Sequence, residues 1–497
     1  MSCGKKNLYL LVCIVWILSA CQPVVATPVP GVGGIQTPEP AGIEPTEAGS
    51  ELAVTPYPTR PPYTPGELVD YVAQTGDTLP ALALRFNTTV EEILAANSFI
   101  PANASTMPPG MPMKIPVYYV PFWGSPYKIL PDSLFINGPA QIDFDTAAFV
   151  AEHPGWLKDY RDYAYGDTRS AATIIDYVAV DHSVSPRLLL ALLEYWNGAL
   201  TQPERPSNTA YLLGNEDWRQ KGFYLQLVWA ANTLNNGYYG WRSGSMLEFD
   251  RLSGRLERPD PWLNAATVAI QYYYAHLLDG QDYERAVAYD GFASAYTSLF
   301  GDPWAADVPH IPGSLAQPEF KLPFLPGLTW AYTGGPHSSY GEGQPLAALD
   351  FAPGAMESGC SPTSAWATAV AAGVVVRSEY GTVVLDLDGD GEERTGWTVF
   401  YYHVASKGRA LAGKVVEAGD LLGQPSCEGG RATGTHIHIA RKYNGEWVLA
   451  DGALAFNLEG WVARNGAQEY QGTLQRGWHT ITANTFADAG SQIEAGK

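Results

Sequence analysis

The stretch that decides the reading is "GTHIHIA", residues 434–440. In an extended strand, side chains two apart share a face, so His436 and His438 converge on one point. A buried strand histidine is more often a hydrogen-bonded core residue, and an isolated His-x-His pair carries little weight. The chain holds nine histidines, and two more stand in comparable settings: His403 in "FYYHVA" (400–405) and His337 in "TGGPHSS" (333–339). Asp350 lies in "PLAALDFAP" (345–353). One carboxylate and two imidazoles as ligands, with two imidazoles to spare, would suit a catalytic zinc, which needs few nitrogen and oxygen ligands and an open position for water.

Around these residues, positions 315–465 alternate short β-rich runs with glycine and proline, as in "TAVAAGVVVRSEYGTVVLDLDGDG" (368–391) and "GKVVEAGDLLGQPS" (413–426). That pattern predicts an antiparallel β domain built from hairpins. Within it, "GGPHSSYGEGQPLAALDF" (334–351), "ATAVAAGVVVRS" (367–378), "FYYHVA", "VVEAGDLLGQPS" (415–426) and "GTHIHIA" together resemble the M23, lysostaphin-type zinc metallopeptidases. The wide interval from His337 to Asp350 and the "LDFAP" that follows are similar to the staphylolysin and beta-lytic branch. The resemblance implies His337, Asp350 and His438 as zinc ligands and His403 and His436 as the catalytic histidines. One of that pair would take the proton of the attacking water and return it to the leaving amine; the other would donate a hydrogen bond to the developing oxyanion. Leu349 stands where the family usually has a motif glycine.

The run "DLDGDGEE" (386–393) places Asp386, Asp388 and Asp390 on alternate positions. An EF-hand loop would need Glu at its twelfth position, where Trp397 stands. Asp-Gly pairs between two strands predict a hairpin turn, with a structural calcium ion as the alternative.

Further out, residues 131–312 carry apolar residues at three- and four-residue spacing, in "RSAATIIDYVAVDH" (169–182), "SPRLLLALLEYWNGAL" (185–200) and "WLNAATVAIQYYYAHLL" (262–278). They predict a mainly α-helical domain. The segment around Glu194 weakly resembles the helix that carries the catalytic glutamate of lysozyme-like transglycosylases, but Tyr195 follows where that family has serine. The expectation is a wall-facing or spacer domain without sugar cleavage. Residues 67–118, with "YVAQTGDTLPALALRF", "TTVEEILAAN" and "PPGMPMKIP", resemble a LysM module. That resemblance implies a β-α-α-β unit that binds the glycan of peptidoglycan or chitin.

Residues 22–66 read as an extended Pro/Thr-rich tether. Lys5 and Lys6 precede the apolar run "LYLLVCIVWIL" (8–18), a secretory signal too short for a comfortable membrane span. "LSAC" (18–21) resembles a bacterial lipobox and implies lipidation of Cys21; ordinary cleavage near "VVATP" (24–28) is the alternative. Cys360 and Cys427 then remain, most simply a disulfide in an oxidising compartment, with a pair of metal thiolates as the competing reading. A formal charge of −21 argues against nucleic acid as a partner, which calls for a basic stripe. Residues 466–497 read as a C-terminal tail. The whole predicts a multidomain, extracytoplasmic lipoprotein held to a membrane by its lipid: a zinc endopeptidase acting on peptidoglycan. A non-catalytic wall-binding scaffold or hydrolase activator is the alternative.

Overall fold

The computed structural model describes residues 62–121, 123–354 and 359–496. The signal segment, Cys21 and most of the Pro/Thr-rich tether lie outside the described residues. No helix among the described residues is long and apolar enough to cross a membrane.

The first unit runs β1 (Glu67–Val72), α1 (Leu79–Arg85), α2 (Val90–Ala96) and β2 (Pro112–Val117), with β1 and β2 paired antiparallel. Thr78 caps α1 by accepting from the Ala81 N–H, and Thr89 forms a capping box with Glu92 at the start of α2. Asp77 precedes the cap. Its carboxylate receives the Tyr71 hydroxyl (2.6 Å), the Gln74 N–H (2.7 Å) and Arg85 (3.0 Å). Arg85 also donates to the Trp241 carbonyl of the helical body at 3.0 Å, and Trp262 of that body stands edge-on to Phe86 at 4.7 Å. The unit is therefore packed against the helices that follow it.

Those helices include α3 (Ala171–His182), α4 (Pro186–Asn197), α5 (Phe223–Ser243), α6 (Ala265–Ala275) and α7 (Phe292–Phe300). Ser170 and Ser185 cap α3 and α4, and Pro186 occupies the first turn of α4, where its missing N–H costs nothing. Two short hairpins, pairing 161–164 with 167–170 and 249–250 with 256–257, interrupt the helices. Helical periodicity gives no sign of them.

The third unit is a nine-stranded sheet, antiparallel throughout. In chain order its main strands are β3 (Thr329–Ser338), β4 (Leu346–Pro353), β5 (Gly373–Glu379), β6 (Thr382–Asp386), β7 (Trp397–Tyr402), β8 (Val415–Val416), β9 (Ile437–Tyr443) and, from the far end of the chain, β10 (Gln492–Glu494). Their spatial order is β8-β5-β6-β7-β9-β4-β3-β10, with Glu446–Trp447 pairing on β9. β6 and β7 form the hairpin expected at "DLDGDGEE". The Asp386 carboxylate there accepts the N–H groups of Asp388, Gly389 and Gly391, which is turn chemistry.

The boundary drawn at residue 465 does not hold. Residues 461–465, 472–476 and 479–482 form consecutive antiparallel strands, and β10 adds to the edge of β3. Leu474, Ile481 and Ile493 are buried in the sheet core. Each of these strands carries too few apolar residues to announce itself, and long-range pairing supplies what local sequence lacks.

Alternation along the central strands builds two cores. Leu349, Phe351, Val399, Tyr401, Ile437 and Ile439 fill one face, while Ala348, Phe400, Ala440 and Trp447 join the core of the helical body. His438, between Ile437 and Ile439, thus points to the face that the helices cover. Arg242 of α5 ties the three units together: it bonds the Thr75 carbonyl, pairs with Asp132 at 3.4 Å and with Glu446 at 2.9 Å, and His310 donates to Glu446 at 2.6 Å.

Candidate metal centre and active site

The register of the sheet assembles the site. On β9, His438 lies opposite Asp350 of β4 on one side and Tyr402 of β7 on the other. β3 pairs with β4 through irregularities at Gly334 and His337, which swing His337 onto the same point. Gly334 faces Asp350, and a Cβ there would stand 2.6 Å from Asp350 Oδ2, so only glycine fits. Leu349 sits fully buried in the opposite core, so the residue before the aspartate leaves the ligand side untouched.

His337 Nε2 is 3.0 Å from His438 Nδ1, and each lies against Asp350 Oδ1, at 3.2 and 3.3 Å. The remaining ring nitrogens settle the tautomers, because a carbonyl only accepts. His337 Nδ1–H donates to Gly335 O at 2.7 Å, and His438 Nε2–H donates to Ser339 O at 2.9 Å. Two imidazole lone pairs and a carboxylate oxygen therefore face one another in a buried spot, and no hydrogen bond reaches Asp350 Oδ1. Either a proton on His337, which Asp350 favours against the cost of burial, or a metal cation relieves that repulsion. Two neutral imidazoles and one carboxylate, each imidazole oriented by a backbone carbonyl, are a donor set that fits zinc. Burial alone would raise the Asp350 carboxyl, but the His337 and His436 rings hold it well below the usual carboxylate range.

The two further histidines flank this point. His436 Nε2 is 3.7 Å from Asp350 Oδ1, and its Nδ1–H donates to Gly434 O at 2.8 Å. His403 lies 4.5 Å from His436 between ring centres, and its Nδ1–H donates to Glu428 O at 2.9 Å. In each ring the backbone carbonyl fixes Nδ1 as a donor. His403 closes β7 with φ +62°, a strained conformation for a non-glycine residue. Burial, then the neighbouring His436 and His438, push its pKa down to about 3. Cys360 and Cys427 form a disulfide with Cα atoms 5.7 Å apart. Beside it, Thr435 donates from its N–H to Gly359 O (3.0 Å) and from its hydroxyl to Ser361 O (2.6 Å), which fixes the chain entering His436.

Tyr470 was not legible in the sequence. Its ring stacks on His337 at 4.2 Å and 21°, and backbone bonds from Gly335 N–H to Tyr470 O and from Tyr470 N–H to Pro336 O hold it there. It adopts φ +66° and stays half-exposed at the rim. The signal was a bulky residue in a polar "GAQEYQG" turn, which becomes meaningful only once the pairing with β3 is known.

Glu194 is placed elsewhere, at the end of α4. Its two carboxylate oxygens take the Leu200 N–H (2.7 Å) and the Thr201 hydroxyl, so the group ties a turn.

Comparison with known proteins finds two domain matches and several similar peptidases. The model of the LysM domain matches residues 71–116, and that of the LasA N-terminal domain matches residues 128–313, the helical body. Protease LasA of Pseudomonas aeruginosa (strain UCBPP-PA14) is 26% identical over 342 residues, covering 65% of this chain and 76% of that protein. Beta-lytic metalloendopeptidase of Lysobacter enzymogenes is 27% identical over 139 residues, covering 27% of this chain and 73% of that one. The chain carries a LysM match and is similar to the peptidases LasA and beta-lytic metalloendopeptidase. Among solved structures, the deep-sea M23 metalloprotease pseudoalterin is 26% identical, covers 34% of this chain and 96% of its own, and has a TM-score of 0.29.

Proposed function

We propose that this chain is a cell-envelope zinc metalloendopeptidase that hydrolyses peptide bonds of peptidoglycan. In this reading its LysM module holds the wall glycan and a lipid on Cys21 holds the membrane. One observation carries the reading: His337, Asp350 and His438 turn three electron pairs onto one buried point, and Asp350 Oδ1 has no hydrogen-bond donor there.

Zinc held by those three residues would acidify a water and polarise the scissile carbonyl. The rest belongs to the protein. His436 is the proton acceptor, because the Asp350 carboxylate 3.7 Å from its Nε2 stabilises the imidazolium that forms. Its proton then passes to the leaving amine. His403, kept neutral by burial and with its Nδ1–H committed to Glu428 O, offers Nε2 as an acceptor beside His436; it orients the attacking water in place of the oxyanion donation that the resemblance implies. Tyr470 walls the mouth and holds the His337 ring in place. Glycan binding by the LysM module raises the local concentration of wall peptides at the site.

The test is metal content. The full chain should bind a single zinc ion, and Asp350→Ala should lose it under the same conditions. A folded wild-type chain that binds none would defeat the reading.

A further inference from the structure

The loop 339–345, "SYGEGQP", joins β3 to β4 and carries the carbonyl that orients His438: Ser339 O accepts from His438 Nε2–H at 2.9 Å. Ser339 N–H closes the loop onto Pro345 O at 3.0 Å. The far side of the loop is gripped by α5 of the helical body. Asn236 Oδ1 accepts from the Gln344 N–H at 2.7 Å, and Asn232 Oδ1 accepts from the Glu342 N–H at 3.3 Å. The two asparagines stand one turn apart on the helix and so share a face. Gly341 and Gly343 alternate with the bonded residues at φ +80° and +82°. A Cβ on either would run into the Oδ1 of Asn232 or Asn236, so the loop is cut to fit this helix face. Tyr340 adds a second contact, edge-on to His182 at the end of α3, with ring centres 5.1 Å apart.

We infer that Asn232 and Asn236 are positioning residues for the metal centre. They hold the loop so that Ser339 O keeps the proton of His438 on Nε2 and turns Nδ1 toward His337 and Asp350. The helical body is thereby a support of the site rather than a spacer. This rests on the reading that those three residues bind a metal.

The experiment measures cobalt and zinc affinity of the full chain by competition with a chromogenic chelator, alongside thermal unfolding of the metal-free protein. Asn232→Ala combined with Asn236→Ala should weaken metal binding by about 10- to 100-fold, the usual effect of removing a partner that orients a ligand. Asn236→Asp keeps an acceptor and should bind nearly as wild type. Thr233→Ala serves as control, since its hydroxyl bonds Trp229 O within α5 at 2.9 Å. Wild-type affinity in the double variant would overturn the inference. So would an equal loss in Thr233→Ala, or a loss fully accounted for by a lowered metal-free midpoint. Absence of metal binding in the wild type would instead sink the parent reading.

Discussion

At the level of single residues, the proposed ligands and the groups that orient them respond differently to substitution. Tyr470→Ala removes the ring stacked on His337 and should weaken zinc binding by about tenfold, whereas Tyr470→Phe keeps the stack and the affinity. Chelator competition distinguishes them. Gly334→Ala should cost about 1–3 kcal/mol of stability and most of the metal affinity, because its Cβ would displace Asp350. Urea unfolding with and without zinc reads both. The alternation in "GTHIHIA" was enough to place His436 and His438 on one face. His337, Asp350 and His403 came from motif resemblance, and the register sets His438 opposite Asp350. Tyr470 and the asparagines were hidden, because their partners lie more than a hundred residues away and their own surroundings are ordinary turn and helix sequence.

At the scale of elements, the disulfide and the loop it closes are the informative case. Cys360 and Cys427 are separated by 67 residues, so chain-entropy reasoning assigns the bridge about 4 kcal/mol. Reduction should lower the free energy of unfolding by up to that amount and release the chain entering His436, seen as faster amide exchange over 426–436. The sheet's central strands were legible as β-rich runs between glycines and prolines, and the hairpin at 386–397 from its Asp-Gly pairs. The strands after 460 were not, since short polar strands gain their order from partners rather than from propensity. Nor was the double burial of the sheet, because Ala348 and Ala440 are small enough to read as either face.

At the scale of the whole molecule, buried charge joins the LysM module, the helical body and the sheet. Arg242→Ala strands Glu446 and Asp132 and frees the Thr75 carbonyl; it should cost about 3–5 kcal/mol and split unfolding into separable calorimetric transitions. Acid should weaken the fold in two stages. Burial first, opposed by Asp181, pushes His182 down to about 4. Unfolded chains therefore take up that proton from about pH 6.5 while the native state does not, so stability falls between about pH 6.5 and 4, by about 3 kcal/mol. Glu446 sits at about 2, where burial opposes ionisation but Arg242 and His310 win; its contribution is complete above about pH 4.5 and is lost as pH falls toward 2. Urea midpoints from pH 8 to 3 check the profile, and His182→Asn should flatten its upper limb. The modular plan was legible in composition and motif; the packing of the modules into one body was not, since it depends on a few arginines and tryptophans that meet across long sequence separations.

The most direct measurement of the central claim is release of new amino termini from purified peptidoglycan by the full chain, beside His436→Ala prepared with matched zinc content. The account predicts release by the wild type that stops with a chelator and returns with zinc, and a fall on the order of 10²–10⁴-fold in the variant. Equal release from both proteins, or none from a zinc-loaded wild type that still binds the wall, would contradict it.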